Sequence, residues 1–162
     1  MTYEEANRLW RYDPTTGFLH WKIKPYKSRQ NPGDRADSSI KRYRVTHYKG
    51  VNYLAHRVAW LLTYGDWPEK NIDHIDNDGH NNKIENLRLC ERWQNSANRR
   101  KPSNNSSGFK GVSWVARKGR WRASLMVNGK SVFQRTFKTP EEAYDAYCRE
   151  AAKHHGHFAR VA

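Results

Sequence analysis

Residues Lys101-Pro102-Ser103-Asn104-Asn105-Ser106-Ser107-Gly108 carry no large apolar side chain, so this stretch has nothing to place in a core. It reads as a flexible linker and divides the 162-residue chain into two parts, neither long enough for a large core. Apolar residues make up only 36% of the chain, so small cores must draw on bulky side chains, which the seven Trp and nine Tyr supply.

The formal net charge is +14 and is unevenly spread. Residues 1–50 hold eleven Lys/Arg against five Asp/Glu, residues 51–100 seven against seven, and residues 101–162 twelve against four. Self-repulsion of that size calls for a polyanionic partner, and double-stranded DNA is the one expected. Cys90 and Cys148 are the two cysteines, with no C-x-x-C spacing, so neither a disulfide framework nor a structural zinc knuckle is expected. A reducing, cytoplasmic setting follows. No apolar run reaches the roughly eighteen residues of a membrane span, and Met1 leads into polar, acidic sequence with no export signal. No membrane and no obligate protein partner are expected.

Before the linker, Tyr12-Asp13-Pro14-Thr15-Thr16-Gly17 has turn chemistry and leads into a strand over Phe18–Ile23. Residues 24–39 are polar and Pro/Gly-bearing, hence a basic loop. Tyr43–His47 and Val51–Leu54 flank Lys49-Gly50 as a hairpin, and Ala55–Leu62 has the periodicity of a short buried helix ended by Gly65. After the linker, Val112–Arg117, Arg120–Val127 and Val132–Phe137 predict three strands, with Asn128-Gly129 as a tight hairpin turn. Thr139-Pro140-Glu141-Glu142 combines an N-cap, proline at the first helical position and a capping-box Glu, so a helix over 140–153 follows, with Ala143, Ala146, Tyr147 and Ala151 on one face. The fold class expected is α+β.

The reactive side chains concentrate in 71–90. Ile72 and Ile75 bracket Asp73-His74 near the end of a short strand, Asp76–Asn82 form a polar turn, Leu87-Arg88-Leu89 pairs back, and Glu91–Arg100 forms a helix that brings Asn95 over Asp73. Asp73 offers a hard carboxylate oxygen and Asn95 an amide oxygen, a pair suited to Mg²⁺ or Mn²⁺. Such an ion neutralises charge at a phosphoryl transition state. His74 can deprotonate an attacking water, since imidazole titrates near neutral pH. Asn86 is placed to hydrogen-bond across the hairpin, fixing the loop or the His74 tautomer. His56, at the start of an apolar helix, reads as structural.

Residues 53–100 resemble the HNH homing endonucleases of phage and intron type. The matching stretches are Tyr53-Leu54-Ala55-His56-Arg57-Val58-Ala59-Trp60, Ile72-Asp73-His74-Ile75-Asp76, Asn81-Asn82-x-x-x-Asn86-Leu87 and Gln94-Asn95-Ser96-Ala97-Asn98. The resemblance implies a ββα-metal fold with His74 as general base, Asp73 and Asn95 as metal ligands and Asn86 as the middle residue of the motif. Asn95 stands where the motif name has His, and Asn98 is the alternative ligand. It also implies hydrolysis of a DNA phosphodiester to 3′-hydroxyl and 5′-phosphate ends, as a nick or a double-strand break, in a bacterial host cell. The corresponding domains are 1–52, a β-rich DNA-contacting region; 53–100, the nuclease; 101–108, the linker; and 109–162. A non-catalytic DNA-binding regulator is the other reading.

From Lys101 to Lys138 nine residues are basic and none is acidic, whereas Glu141, Glu142, Asp145 and Glu150 all fall in the expected helix. In the middle strand Arg120, Arg122, Ser124 and Met126 alternate with Trp121, Ala123, Leu125 and Val127, giving one polar face and one that packs on the helix. Ser113, Val115 and Arg117 line the polar side of the first strand. A narrow sheet of this kind enters a major groove. Arg117, Arg120 and Arg122 are expected on phosphates or guanines, with Ser113 among the DNA-binding positions. Lys110, Lys118, Lys130 and Arg135 are expected to provide electrostatic attachment. Lys138 and Lys153 read as solvated charges, Trp114 and Trp121 as core. Residues 108–158 resemble the Apetala2-type domain of plant ethylene-response factors, through Gly108-Phe109-Lys110-Gly111-Val112, Arg120-Trp121-x-Ala123, Gly129-Lys130, Thr136-Phe137-x-Thr139-x-Glu141-Glu142-Ala143 and Ala146-Tyr147. Ser113, Val115, Ser131 and Phe133 replace the plant residues, so the plant target specificity does not carry over.

Overall fold

A computed structural model describes residues 1–98, 105–156 and 159, without the side chains of 96–98. The chain forms two compact units, 1–90 and 91–162. The expected division at 52/53 falls inside the first unit.

The first unit opens with helix α1 (Tyr3–Leu9), closed at its start by a capping box between Thr2 and Glu5. Strands β1 (Trp10–Asp13) and β2 (Phe18–Trp21) form a hairpin, and β3 (Asp37–Ile40), β4 (Tyr43–Tyr48) and β5 (Val51–Leu54) form an antiparallel sheet in that order. Helix α2 (Ala55–Tyr64) ends on Gly65, whose φ of 88° puts it in the left-handed region that glycine tolerates. Strands β6 (Asn71–His74) and β7 (Leu87–Cys90) make a second hairpin. Ala6, Leu9, Trp10, Leu19, Trp21, Ala36, Ala55, Val58 and Leu61 share one core, so α1, the first hairpin and α2 support one another.

Two expectations for this unit are corrected. The strand expected over Phe18–Ile23 ends at Trp21. The loop expected over 24–39 gives way at Asp37 to a strand whose sequence, Asp-Ser-Ser-Ile, has no apolar alternation to reveal it. Its anchor is polar: the buried Asp37 carboxylate accepts from the Leu19 N–H at 3.1 Å and is paired with the guanidinium groups of Arg35 and Arg44.

The second unit contains helix α3 (Arg92–Asn98), strands β8 (Val112–Val115), β9 (Arg120–Val127) and β10 (Lys130–Phe137) in the sheet order β10-β9-β8, and helix α4 (Pro140–His155). Asn128 and Gly129 both have positive φ, 48° and 76°, as their tight hairpin requires. Thr139 and Glu142 form the capping box of α4. That helix buries Ala143, Tyr147 and Ala151 against Val112, Ala123 and Leu125. At Gly111 a Cβ would collide with the Tyr147 ring, so only glycine lets β8 enter so close to α4. Of the expected linker, 101–104 lie outside the described residues. Asn105–Gly108 form a tied turn, in which Ser107 Oγ donates to the carbonyls of Phe109 at 3.0 Å and Val112 at 2.9 Å.

Two further expectations are corrected here. Arg117 lies in a single 3₁₀ turn (Ala116–Lys118) rather than in a strand, because β8 stops at Val115. Trp114 is not core but 49% exposed. Its pairing partner Trp121 covers one side at 5.0 Å between ring centroids, and α4 covers the neighbouring Val112 instead.

Candidate active site

The β6–β7 hairpin places Asp73 opposite Arg88 and His74 opposite Leu87. Neighbouring strand positions point to opposite faces, so Asp73 and His74 leave the end of β6 in different directions. Both are buried, at 4% and 6% exposure. Arg88 donates Nε–H and Nη2–H to Asp73 Oδ2 at 2.9 and 2.8 Å, a charge-assisted pair across the hairpin.

On the other face, His74 meets α2 and β4. Its ring stands edge-on to His56 at 5.0 Å and 6.0 Å from Tyr43. His74 Nε2 lies 3.0 Å from Asn82 Oδ1, and Asn82 is 0% exposed. An amide oxygen only accepts, so this contact requires a proton on Nε2. His56 is held neutral, its pKa pushed down to about 3 by burial first and then by repulsion from a protonated His74 and from Arg57. Its buried Nδ1 has no hydrogen-bond partner among the described residues.

The loop between the strands is fastened at both ends. Asn86 Nδ2 donates to Asp76 Oδ1 at 2.9 Å and to the Asn81 carbonyl at 2.8 Å, while Asn86 Oδ1 accepts from the Asp76 N–H at 3.1 Å. Burial pushes the Asp76 carboxyl up, but hydrogen bonds from Asn81, the Asp78 N–H and Asn86 outweigh it and hold the group below the usual carboxylate value. At the far end the Tyr12 hydroxyl donates to the Asn82 carbonyl and accepts from the Ile84 N–H, both at 2.9 Å. Gly17, with φ 76°, lets the first hairpin approach this loop: a Cβ there would stand 2.7 Å from Lys83 N and 2.8 Å from the Asn82 carbonyl carbon.

The expected residues Asp73, His74 and Asn86 therefore lie on one hairpin. Of the two roles open to Asn86, its hydrogen bonds select the loop. The contact to His74 belongs to Asn82, which stood within a quoted motif without an assigned task. Tyr12, Tyr43 and Arg88 had no signal of function, and His56 proves to touch His74. Asn95 sits on α3 in the second unit. A hard divalent cation fits the donor chemistry here, since Asp73 is a buried carboxylate and Mg²⁺ commonly uses one or two carboxylates with waters and substrate phosphate. Such a cation would share that carboxylate with Arg88.

In the second unit the register groups Arg120, Arg122, Ser113 and Ser124 on the face away from α4, with Arg122 Nη2 donating to Ser113 Oγ at 3.3 Å. Arg135 pairs with Ala123 and so falls on the α4 face, where its charge helps hold the Glu150 carboxyl down. Arg117 is exposed beside this sheet, and Lys110 is half-buried just before β8.

A family model described as HNH endonuclease matches residues 53–97. "Protein 3.8" of Escherichia phage T7 is 35% identical over 108 residues, 65% of this chain and 87% of that protein. An uncharacterized HNH endonuclease of Acanthamoeba polyphaga mimivirus is 32% identical over 118 residues, 72% of this chain but 60% of that protein. No solved structure gives a significant match.

Proposed function

The chain belongs to the HNH endonuclease family, whose members act on DNA and generally depend on a divalent metal, and on that premise we propose that it is a homing-type endonuclease using one-metal chemistry. The observation that carries the reading is the pair of buried groups ending β6, Asp73 on one side and an oriented His74 on the other. A phosphodiester bound at this strand end would have the carboxylate on one side and the imidazole on the other. His74 Nδ1, the unprotonated nitrogen of the Nε2–H tautomer, takes the proton of the attacking water. Asn82 keeps the ring in that tautomer, and Asn86 holds the loop that carries Asn82. Asp73, with waters, would hold Mg²⁺ or Mn²⁺, which when bound supplies positive charge to the phosphoryl group and the leaving oxygen. Arg88 on Asp73 Oδ2 keeps that carboxylate aimed.

The basic face of the second unit is proposed to grip the duplex, as an Apetala2-like sheet does. Arg120, Arg122 and Ser113 are in position to face DNA, Arg117 and Lys110 flank them, and Arg135 acts through long-range attraction from the opposite face.

The Asp73–Arg88 ion pair favours a second reading. It satisfies the carboxylate without a cation, as a non-catalytic DNA-binding regulator would require. Supercoiled plasmid incubated with Mg²⁺, with and without EDTA, separates the two. Nicking or linearisation that EDTA and His74→Ala both abolish, with DNA binding retained, is the expected result. Binding without metal-dependent cleavage would assign the regulator instead.

A further inference from the structure

Beyond the hairpin, the second unit carries a cleft of about 620 Å³ that none of the expected roles uses. It opens where β9 outruns β8: Val112 pairs with Ala123, the Ser124 N–H still reaches the Gly111 carbonyl at 2.9 Å, and from Leu125 onward that edge has no β8 neighbour. Leu125 forms an apolar floor on the α4 side of the sheet, and Met126, 61% exposed, lies on the opposite side of the same strand edge. Trp93 and His155 form an aromatic wall, with ring centroids 5.8 Å apart and planes inclined by 36°. Arg92 and Lys110 add two cations to the lining.

Each wall narrows the class of ligand. An apolar floor beside flat rings suits a planar ring system, and a purely apolar guest has no use for two cations. A guest with a planar heterocycle at one end and a phosphate at the other uses both. A third observation points the same way. His155 is 7% exposed, and its buried Nδ1 has no hydrogen-bond partner among the described residues, so the wall contains polar capacity that the fold leaves unused. Burial, with help from the charges of Lys110 and His154, disfavours the charged imidazole, so the ring meets a guest as a neutral stacking and hydrogen-bonding surface.

We propose that this cleft is a nucleotide site, in which a base lies over Leu125 against Trp93 and His155, on the α4 side of the β9 edge, while its phosphate lies between Arg92 and Lys110. The nucleotide is either free or an unpaired residue of a DNA strand. Ser124 and Met126 continue the row of Arg120 and Arg122 to the open β9 edge, so a strand held on the basic face reaches the cleft by passing round that edge. Only the DNA source rests on the nuclease reading.

The test uses the full chain in EDTA, labelled with ¹⁵N at the Trp indoles and His rings, with Trp93→Phe identifying the Trp93 signal. Inorganic phosphate, dAMP, a short single-stranded oligonucleotide and a blunt duplex are titrated separately. The Trp93 and His155 signals should move with dAMP, with the oligonucleotide or with both, and inorganic phosphate should bind about tenfold or more weakly. A response to the oligonucleotide alone assigns the source as a DNA strand, and a response to dAMP alone assigns a free nucleotide. Arg92→Ala combined with Lys110→Ala should weaken binding about tenfold or more while leaving the other indole signals in place. Stationary Trp93 and His155 signals in every titration would overturn the proposal. So would phosphate binding as tightly as dAMP, or movement with the duplex alone. Because cleavage is silent in EDTA, and His74→Ala should bind these probes as the wild type does, failure here leaves the nuclease reading standing, and the reverse holds.

Discussion

Tyr12→Phe removes one oxygen seventy residues away in sequence from the loop it supports, and it tests whether that oxygen holds His74 in place. The ring stays, so core packing is preserved. What is lost is the donor to the buried Asn82 carbonyl and the acceptor for the Ile84 N–H, both at 2.9 Å. A buried polar group left without its partner costs about 1–3 kcal/mol, and Ile84 is only half-buried, so the pair amounts to about 2 kcal/mol. For a unit the size of 1–90 each kcal/mol lowers Tm by about 4–8 °C, so a fall of roughly 8–16 °C is expected in a circular-dichroism melt. At 20 °C the variant remains folded, and plasmid cleavage then reports geometry rather than stability. Loosening Asn82 frees the His74 ring, and a loss of about tenfold in rate corresponds to about 1.4 kcal/mol of positioning. A melt within 2 °C of wild type would refute the hydrogen-bond reasoning. A lowered Tm with an unchanged cleavage rate would refute the link from Tyr12 through Asn82 to His74.

Further outcomes are expected. Asn82→Ala should lower kcat about 10–100-fold with KM nearly unchanged; ¹⁵N spectra of the metal-free variant should show His74 leaving the pure Nε2–H form, and an unchanged tautomer would count against the role given to Asn82. His56 binds no proton in the folded chain until about pH 3, whereas unfolded it does so below about 6.5. Its contribution is therefore intact above the unfolded value and lost as pH falls, by about 2 kcal/mol between pH 7 and 5 in denaturant titrations. His56→Phe should flatten that part of the slope, and an equal slope in both proteins would show that another group is responsible. Arg120→Ala should reduce the slope of log Kobs against log salt by about 0.9 if the exposed Arg120 contacts one phosphate, and an unmoved slope would remove it from the grip.

Local chemistry made some elements legible in the sequence. The Asn128-Gly129 turn, the Thr139–Glu142 capping box and the apolar face of α4 depend on residues a few positions apart, so their signals survive without a partner. The Asp73-His74 pair and the returning Leu87–Leu89 strand were readable for the same reason. Strand β3 was not, because its stability comes from the Asp37 ion pairs rather than from alternation.

Tertiary packing decided what the Asp73-His74 motif rests on. Periodicity can say that Asn81, Asn82 and Asn86 belong to one turn, but not which amide reaches an imidazole. That choice depends on a loop path set by Tyr12 and by the space Gly17 leaves for it, contributed by a hairpin seventy residues earlier. The exposure of Trp114 was likewise decided by how far α4 reaches across the sheet. Hydrogen bonds and ring contacts between distant segments leave no periodic trace, because each needs only one residue at each end.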